Sequence, residues 1–282
     1  LPIPQWLFAW VAAVVLIVSF AALSLLWPTP RLERAVARRR IAVPVALRAL
    51  VGALSVAVFV FVVYAGLAGT SVPTANLAPT TIYVVVWVGV PVVSVLLGDV
   101  WRVVSPWRAA ARGIAWAAAR LRGGAPLRPP LAYPEWLGRW PAVAGLVGFA
   151  WLELVYVDRD VPSTLALLTL AYALLQLVGM GLFGIERWRT RGDAFGVLFE
   201  LFGRLAPLEL RDGTVYVRRP LSGLTQVDGT VPGTVALLAV MIGTTTFDGA
   251  SNGELWATVS APLRDLFGGL GEIAAIGLAA TV

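Results

Sequence analysis

Six nearly charge-free apolar stretches of about twenty residues constrain this chain most, because a helix of that length crosses a hydrocarbon core roughly 30 Å thick. They run over 5 to 27, 49 to 69, 80 to 98, 140 to 157, 163 to 184 and 231 to 247, the last being short. From Glu272 to Val282 the sequence turns apolar again and stops. The pattern predicts an all-α integral membrane protein with six transmembrane helices plus the start of a seventh. These form one polytopic membrane domain over 1–282 with a truncated C-terminus. Composition agrees, since 59% of residues are hydrophobic and 13% charged, outside the soluble range.

Charge sets the orientation. All 22 basic residues are arginines, and 20 of them lie between spans one and two, three and four, or five and six. Only Arg159 and Arg264 fall in the opposite loops. Arginines near span ends are retained on the cytoplasmic side, which predicts a multi-pass protein of a bacterial inner membrane with its N-terminus outside. An outer N-terminus without methionine is what removal of a signal peptide leaves. Seven of the sixteen acidic residues fall on the outer side, so that face is acidic and the inner face strongly basic. The net charge of +6 therefore points to anionic headgroups, which attract juxtamembrane arginines by about 1 kcal/mol each, and away from nucleic acid.

The inner loops hold structure of their own. Ser105 suits an N-cap and Pro106 the first helical position. Helical projection then puts Trp107, Ala111, Ile114, Ala115, Ala118 and Leu121 on one face, with Arg108, Arg112 and Arg120 on the other. This predicts a cytoplasmic interfacial amphipathic helix ending at Gly123-Gly124. A second is predicted where Phe195, Leu198, Phe199 and Phe202 recur at helical spacing, with Glu200 and Arg204 as an i, i+4 pair on the wet side. Each follows a Gly-Asp pair, Gly98-Asp99 and Gly192-Asp193. The pairs read either as a faint internal repeat or as a glycine that ends one helix and an aspartate that caps the next. Alternation around Asp212-Gly213 predicts a small cytoplasmic β-hairpin within 208–230.

Absences limit the chemistry. With no histidine, cysteine or lysine, these residues hold no thiolate, zinc-thiolate, haem-imidazole or Schiff-base site. Any metal would need oxygen donors. The best cluster lies at the outer end of span six, where Asp248, Asn252 and Glu254 accompany four hydroxyls between Thr244 and Glu254. It reads as a cation or polar-ligand site, or as a turn in which Asp248 and Asn252 bond local amides. Glu153, inside span four near its outer end, is costly there and marks either a cavity or a structural ion pair. Pro91 removes a hydrogen bond within span three and predicts a kink, a possible hinge. Gly179, Gly181 and Gly184 make a small-residue face in span five.

Several stretches carry a resemblance: Asn76-Leu77-Ala78-Pro79-Thr80, Gly98-Asp99-Val100-Trp101-Arg102 with Ser105-Pro106-Trp107-Arg108, Arg191-Gly192-Asp193-Ala194-Phe195, and Thr246-Phe247-Asp248-Gly249. They resemble a family of mostly actinobacterial polytopic membrane proteins often labelled fenitrothion hydrolase, over essentially all 282 residues. The resemblance implies hydrolysis of an organophosphorus triester, which wants metal-bound or base-activated water. It also implies a longer C-terminal part bearing intramembrane histidines, so no catalytic residue of that family maps onto a position here.

Three functions stay open on sequence. The first is a subunit of a larger membrane assembly, favoured because the spans carry almost no polar group at mid-depth. The second is a membrane-embedded metal-dependent hydrolase completed beyond Val282. The third is a transporter or permease, for which Pro91 and Glu153 would be hinge and coupling residue. Its weakness is that carriers place ionisable or unwound elements near the midplane, whereas these spans show one acidic residue near an end.

Overall fold

The computed structural model describes residues 5–26, 38–211 and 213–251, with 253, 256 and 258. Four helical stretches among them are long and apolar enough to cross a membrane: Val45–Ala68, Leu77–Leu97, Pro162–Phe183 and Thr234–Ser251. The first is α2. The second comprises α3 (Leu77–Pro79), ten π-helical residues (Thr80–Gly89) and α4 (Val90–Leu97). The third and fourth are α8 and α11. Before them stands α1 (Gln5–Leu26), whose consecutive side chains Val14, Val15, Leu16, Ile17 and Val18 are all exposed. Five successive helical residues cover every face, so α1 is apolar all round.

The fourth apolar stretch is shorter than predicted. It forms α7 (Trp140–Leu154), 15 residues long or about 22 Å, and closes in a turn where the amides of Val155 and Tyr156 both donate to the Trp151 carbonyl. Glu153 thus lies in the last turn of α7. Pro91 sits at the junction of the π-helical stretch and α4, where the Val90 amide donates to the Val85 carbonyl, five residues back. Widened turns before a proline relieve the clash of its ring with the preceding carbonyls.

Short helices fill the space between the long ones: α5 (Trp101–Val104), α6 (Pro106–Leu121), α9 (Ile185–Arg191) and α10 (Ala194–Gly203). Proline opens α6, α7 and α8, where its missing N–H costs nothing. Gly98 and Gly184, both at φ +91°, end α4 and α8 in a conformation that side chains disfavour. Among the long helices, α2 packs on α8 and α7 on α11, while α6 packs on α2 and α8. Gly66 permits the first contact, because a Cβ there would come within 2.7 Å of Ala166 Cβ.

Two predictions about the inner helices are corrected. The face of α6 bearing Arg108 is predicted to be wet, but Arg108 is buried, while Ile114 and Leu121 on the predicted apolar face are exposed. Its first turns are held most deeply, through Trp107, Arg108 and Ala111. The second predicted interfacial helix, α10, is a core element. Phe195, Val197, Leu198 and Phe199 are all buried, and the Glu200 carboxylate is only 15% exposed. Its faces are taken by α4, α5, α7 and α9, which a local periodicity does not record.

The predicted hairpin forms as β2 (Leu208–Arg211) and β3 (Thr214–Val217), paired antiparallel with Leu208 opposite Val217. Its turn uses Gly213 at φ +76°; Asp212 lies outside the described residues. A third strand, β1 (Arg38–Ala42), adds to β3 with Arg38 opposite Val217 and a register shift between Arg39 and Ile41. The sheet order is β1-β3-β2. The first arginine-rich loop was not expected to contribute a strand.

Candidate functional site

The residues between α8 and β2 trace a helical hairpin that re-enters the bundle. After Gly184 the chain turns back along α8. Trp188 Nε1 donates to Gln176 Oε1 at 2.7 Å, and five residues on Asp193 Oδ1 accepts from the Tyr172 hydroxyl at 2.9 Å. Advancing along α9 thus means retreating along α8, from Gln176 to Tyr172. Then α10 leaves again. Ala194 rests against Gly145, where an added Cβ would come within 3.0 Å, and Glu200 acts electrostatically on Arg139 at the start of α7. The hairpin's apex is Asp193, beside the middle of α8.

A second hairpin meets it there. Beyond Gly98 the chain enters through α5, whose Trp101 ring stacks edge-on against Phe199 at 5.3 Å, and leaves through α6. Its apex residue Trp107 donates Nε1 to Asp193 Oδ2 at 2.8 Å and lies 5.3 Å from the Tyr172 ring. Asp193 thus stands at the N-cap of α10, where the positive end of that helix's dipole faces it, and the first turn of α6 reaches it through the Trp107 indole. Asp193 is wholly buried. The Gly196 amide joins Trp107 and Tyr172 in bonding it.

Toward the arginine-rich end the hairpins are locked by a charge cluster. Arg189 is 6% exposed and reaches Asp99 at 2.8 Å, Glu186 at 3.4 Å and Glu200 at 3.7 Å. Burial alone would weaken its charge, but Asp99, Glu200 and Glu186 outweigh that and raise its pKa. Asp99 is shifted upward, by burial first and then by Glu200, with Arg189 opposing. Arg108 meets Glu186 at 2.5 Å, and burial pushes its guanidinium down to about 10. Glu186 stays below the usual carboxylate range: burial pushes it up, but Arg108, then Arg189 and Arg112, pull it down further.

The Gly-Asp pairs resolve as capping. Gly98 ends α4 and Asp99 Oδ1 accepts from the Arg102 amide at 3.1 Å. Gly192 follows α9 and Asp193 occupies the N-cap of α10. The two aspartates are not equivalent, since one precedes the entry of its hairpin and the other forms an apex. The expected small-residue face of α8 also serves the hairpin. A Cβ on Gly179 would overlap the Trp188 ring, while Gly181 faces open space.

At the far end of the bundle, packing of α7 on α11 brings Glu153 and Asp248 close enough to interact electrostatically, with Arg159 and Trp87 also acting on Glu153. Arg159 Nη1 donates to the Glu153 carbonyl at 2.9 Å, and Tyr83 donates to the Arg159 carbonyl at 2.9 Å. Asn252 and Glu254 lie outside the described residues. No group of three metal-ligating side chains occurs among the described residues. Asp248 belongs to the last turns of α11, its carbonyl accepting from Ser251 Oγ at 3.0 Å.

Sequence reasoning passed over Tyr172, Gln176, Trp188, Arg189 and Glu186. One signal was present: Tyr172 and Gln176 stand at i, i+4 on one face of an otherwise apolar helix, a pairing that asks for a polar partner. Compared with known protein families, curated proteins and solved structures, the chain matches none.

Proposed function

We propose that this chain is a multi-pass inner-membrane protein that handles an ion or small solute at a centre formed by its two re-entrant hairpins. Six crossings, made by α1, α2, α3–α4, α7, α8 and α11, put the arginine-rich loops and the sheet in the cytoplasm and Glu153 and Asp248 near the outer face. One observation carries the reading: Asp193 is buried at the start of α10, bonded to Trp107 in the first turn of α6 and to Tyr172. From Pro162 to Tyr172 the helix rises about 15 Å, half of a core roughly 30 Å thick. Ionisable groups at that depth are costly and mark transport paths and relays, and broken helices whose N-termini point at a site are a transporter device. The carboxyl comes from a re-entrant segment, with Tyr172 and Gln176 of α8 beside it, which removes the main objection to transport.

Cysteine accessibility tests this. The chain has no cysteine, so Ala194→Cys places a single thiol beside Asp193. A membrane-impermeant cationic thiosulfonate added to proteoliposomes should modify it, and Asp193→Asn should change that rate. A thiol that stays unmodified from both sides, while the denatured protein reacts fully, makes the centre a sealed structural plug and sinks the proposal.

A second reading, a subunit of a larger membrane assembly, is favoured by how little the helices cover one another. Only 11% of the best window of Leu77–Leu97 is buried, and α1 is exposed on all described faces. Fixed co-purifying partners in mild detergent would support it; a monodisperse monomer that transports would oppose it.

A further inference from the structure

Beside the charge cluster, at the arginine-rich end, lies an open cleft of about 210 Å³ between the start of α7, α9, the end of α10 and the segment before α11. Arg139, Arg187, Arg191 and Arg204 line it, with Thr190 and Gln226. Its two acidic neighbours are paired, although Glu200 Oε2 is buried without a hydrogen-bond partner among the described residues. Glu200 binds Arg204 at 2.7 Å and faces Arg189, and Asp228 accepts from the amide and hydroxyl of Thr230 at 3.0 and 2.5 Å.

The guanidiniums are unevenly satisfied. Arg187 and Arg191 share Glu135 outside the cleft, a carboxylate that is 66% exposed, so water competes for that pairing. Arg139 forms no ion pair among the described residues. Its Nη1 donates to Thr234 Oγ1 at 3.0 Å, and its buried Nε finds no hydrogen-bond partner among the same residues. Burial, and then the repulsion of Arg191 and Arg204, weigh on its charge, with Glu200 opposing. A buried donor left open costs free energy. Arg139 is also held rigidly, because its amide donates to the Pro232 carbonyl at 2.7 Å, tying the starts of α7 and α11.

We infer that this cleft is a binding site for a phosphate-bearing anion, with Arg139 at its floor and Arg187 and Arg191 at its rim. Guanidiniums pair with phosphate through two parallel N–H bonds, and a tetrahedral oxyanion draws on Arg139 and Arg191 together, since the Thr190 hydroxyl already donates to the Glu186 and Arg187 carbonyls. The chemistry fits both the headgroup of an anionic phospholipid at the cytoplasmic surface and a free phosphate from solution. The lipid source rests on the membrane orientation proposed above; the soluble source does not. Neither requires the Asp193 centre to transport anything.

Native mass spectrometry and thermal unfolding of the purified full chain in a zwitterionic detergent test the site. Phosphatidylglycerol, phosphatidylcholine and inorganic phosphate serve as probes. Retention of phosphatidylglycerol over phosphatidylcholine supports a lipid site, and saturable stabilisation by phosphate supports a soluble one. The double variant Arg187→Gln/Arg191→Gln should weaken whichever binds by about thirtyfold, given the worth of each surface arginine. Arg187→Lys/Arg191→Lys, keeping the charge, should weaken it less. Arg120→Gln on α6, away from the cleft, should leave it unchanged. No preference for any anionic probe overturns the inference. So does an equal loss in Arg120→Gln, which would make the effect diffuse surface charge. If the double variant does not fold, competition between phosphate and phosphatidylglycerol on the wild-type chain takes its place. Mutual displacement supports one shared site, and independent binding of the two overturns it.

Discussion

Replacing Arg189 with glutamine should be the most damaging single polar change in the protein, and the damage should depend on pH. The side chain is 6% exposed and stands against three carboxylates, of which Asp99 and Glu200 are each 15% exposed. Removing one member of a buried ion pair costs about 3–5 kcal/mol, since the other charge is left unpaired. Here two buried carboxylates would be left repelling each other. The escape is to protonate one of them, which costs about 1.36 kcal/mol for each pH unit above its pKa. Asp99, already shifted upward, is the group that would take the proton. The penalty of Arg189→Gln should therefore shrink by up to about 1.4 kcal/mol per unit as pH falls from 7 toward 5. Adding Asp99→Asn should recover part of the loss at pH 7 and little at pH 5. Unfolding by sodium dodecyl sulfate in mixed micelles, followed by tryptophan fluorescence, measures both quantities. A penalty below about 1 kcal/mol, the range of exposed pairs, or one equal at pH 7 and pH 5, would refute the reasoning.

The unmodified protein should respond to acid in two stages of opposite sign. Asp99, raised in the fold, takes up a proton before its unfolded counterpart and so adds stability as pH falls toward about 3.9. Glu186, lowered in the fold, contributes stability present above about 4.3 that is lost as pH drops through its lower folded value; a stability maximum above pH 6 would contradict this order. Gly179→Ala should cost about 1–3 kcal/mol by forcing a methyl group against the Trp188 ring, and Trp188→Phe should relieve part of it. Failure of that suppression would show that Gly179 has another role. Single cysteines at Arg128 and Asp160 should react with an impermeant maleimide from opposite sides of a spheroplast, Asp160→Cys from outside; labelling from the same side would overturn the assigned topology.

How much of this was legible in the sequence follows from which forces are local. Spans Val45–Ala68, Leu77–Leu97 and Pro162–Phe183 lie within a few residues of where apolar length places them, because the hydrocarbon requirement acts on each segment by itself. Capping was equally readable: Ser105, Pro106 and the two Gly-Asp pairs act as their chemistry dictates. What escaped is tertiary. The periodicity of α10 is helical, as its spacing indicates, but it does not mark a single apolar face, since Val197 is buried as fully as Leu198. Helical spacing cannot tell a helix on a surface from one enclosed on every side. An arginine on a loop helix normally lies in water, yet Arg108 is buried because Glu186, 78 residues away, arrives to neutralise it. β1 escapes a local reading since Arg38 to Ala42 becomes a strand only by pairing with β3.

The same distinction explains why the polar groups of the centre ride on hairpins. A spanning helix with a charge at its middle must bear that cost as it enters the membrane, whereas a hairpin entering from the arginine-rich side can bring its charges already paired. Arg189 with Asp99, and Arg108 with Glu186, satisfy that condition. Asp193 does not. No ion pair reaches it among the described residues, and it is held by an indole, a phenol and the Gly196 amide at the N-terminus of α10. These stabilise an anion without cancelling its charge. Protonating Asp99 or Glu186 takes away a carboxylate that pairs with a guanidinium, but protonating Asp193 strands no cation. Of the deep carboxyls it is therefore the one free to gain and lose a proton while the hairpins stay locked. Asp193→Asn, which fixes the neutral form, should leave stability near wild type at low pH and reduce the pH dependence of Ala194→Cys labelling to that of the thiol's own ionisation.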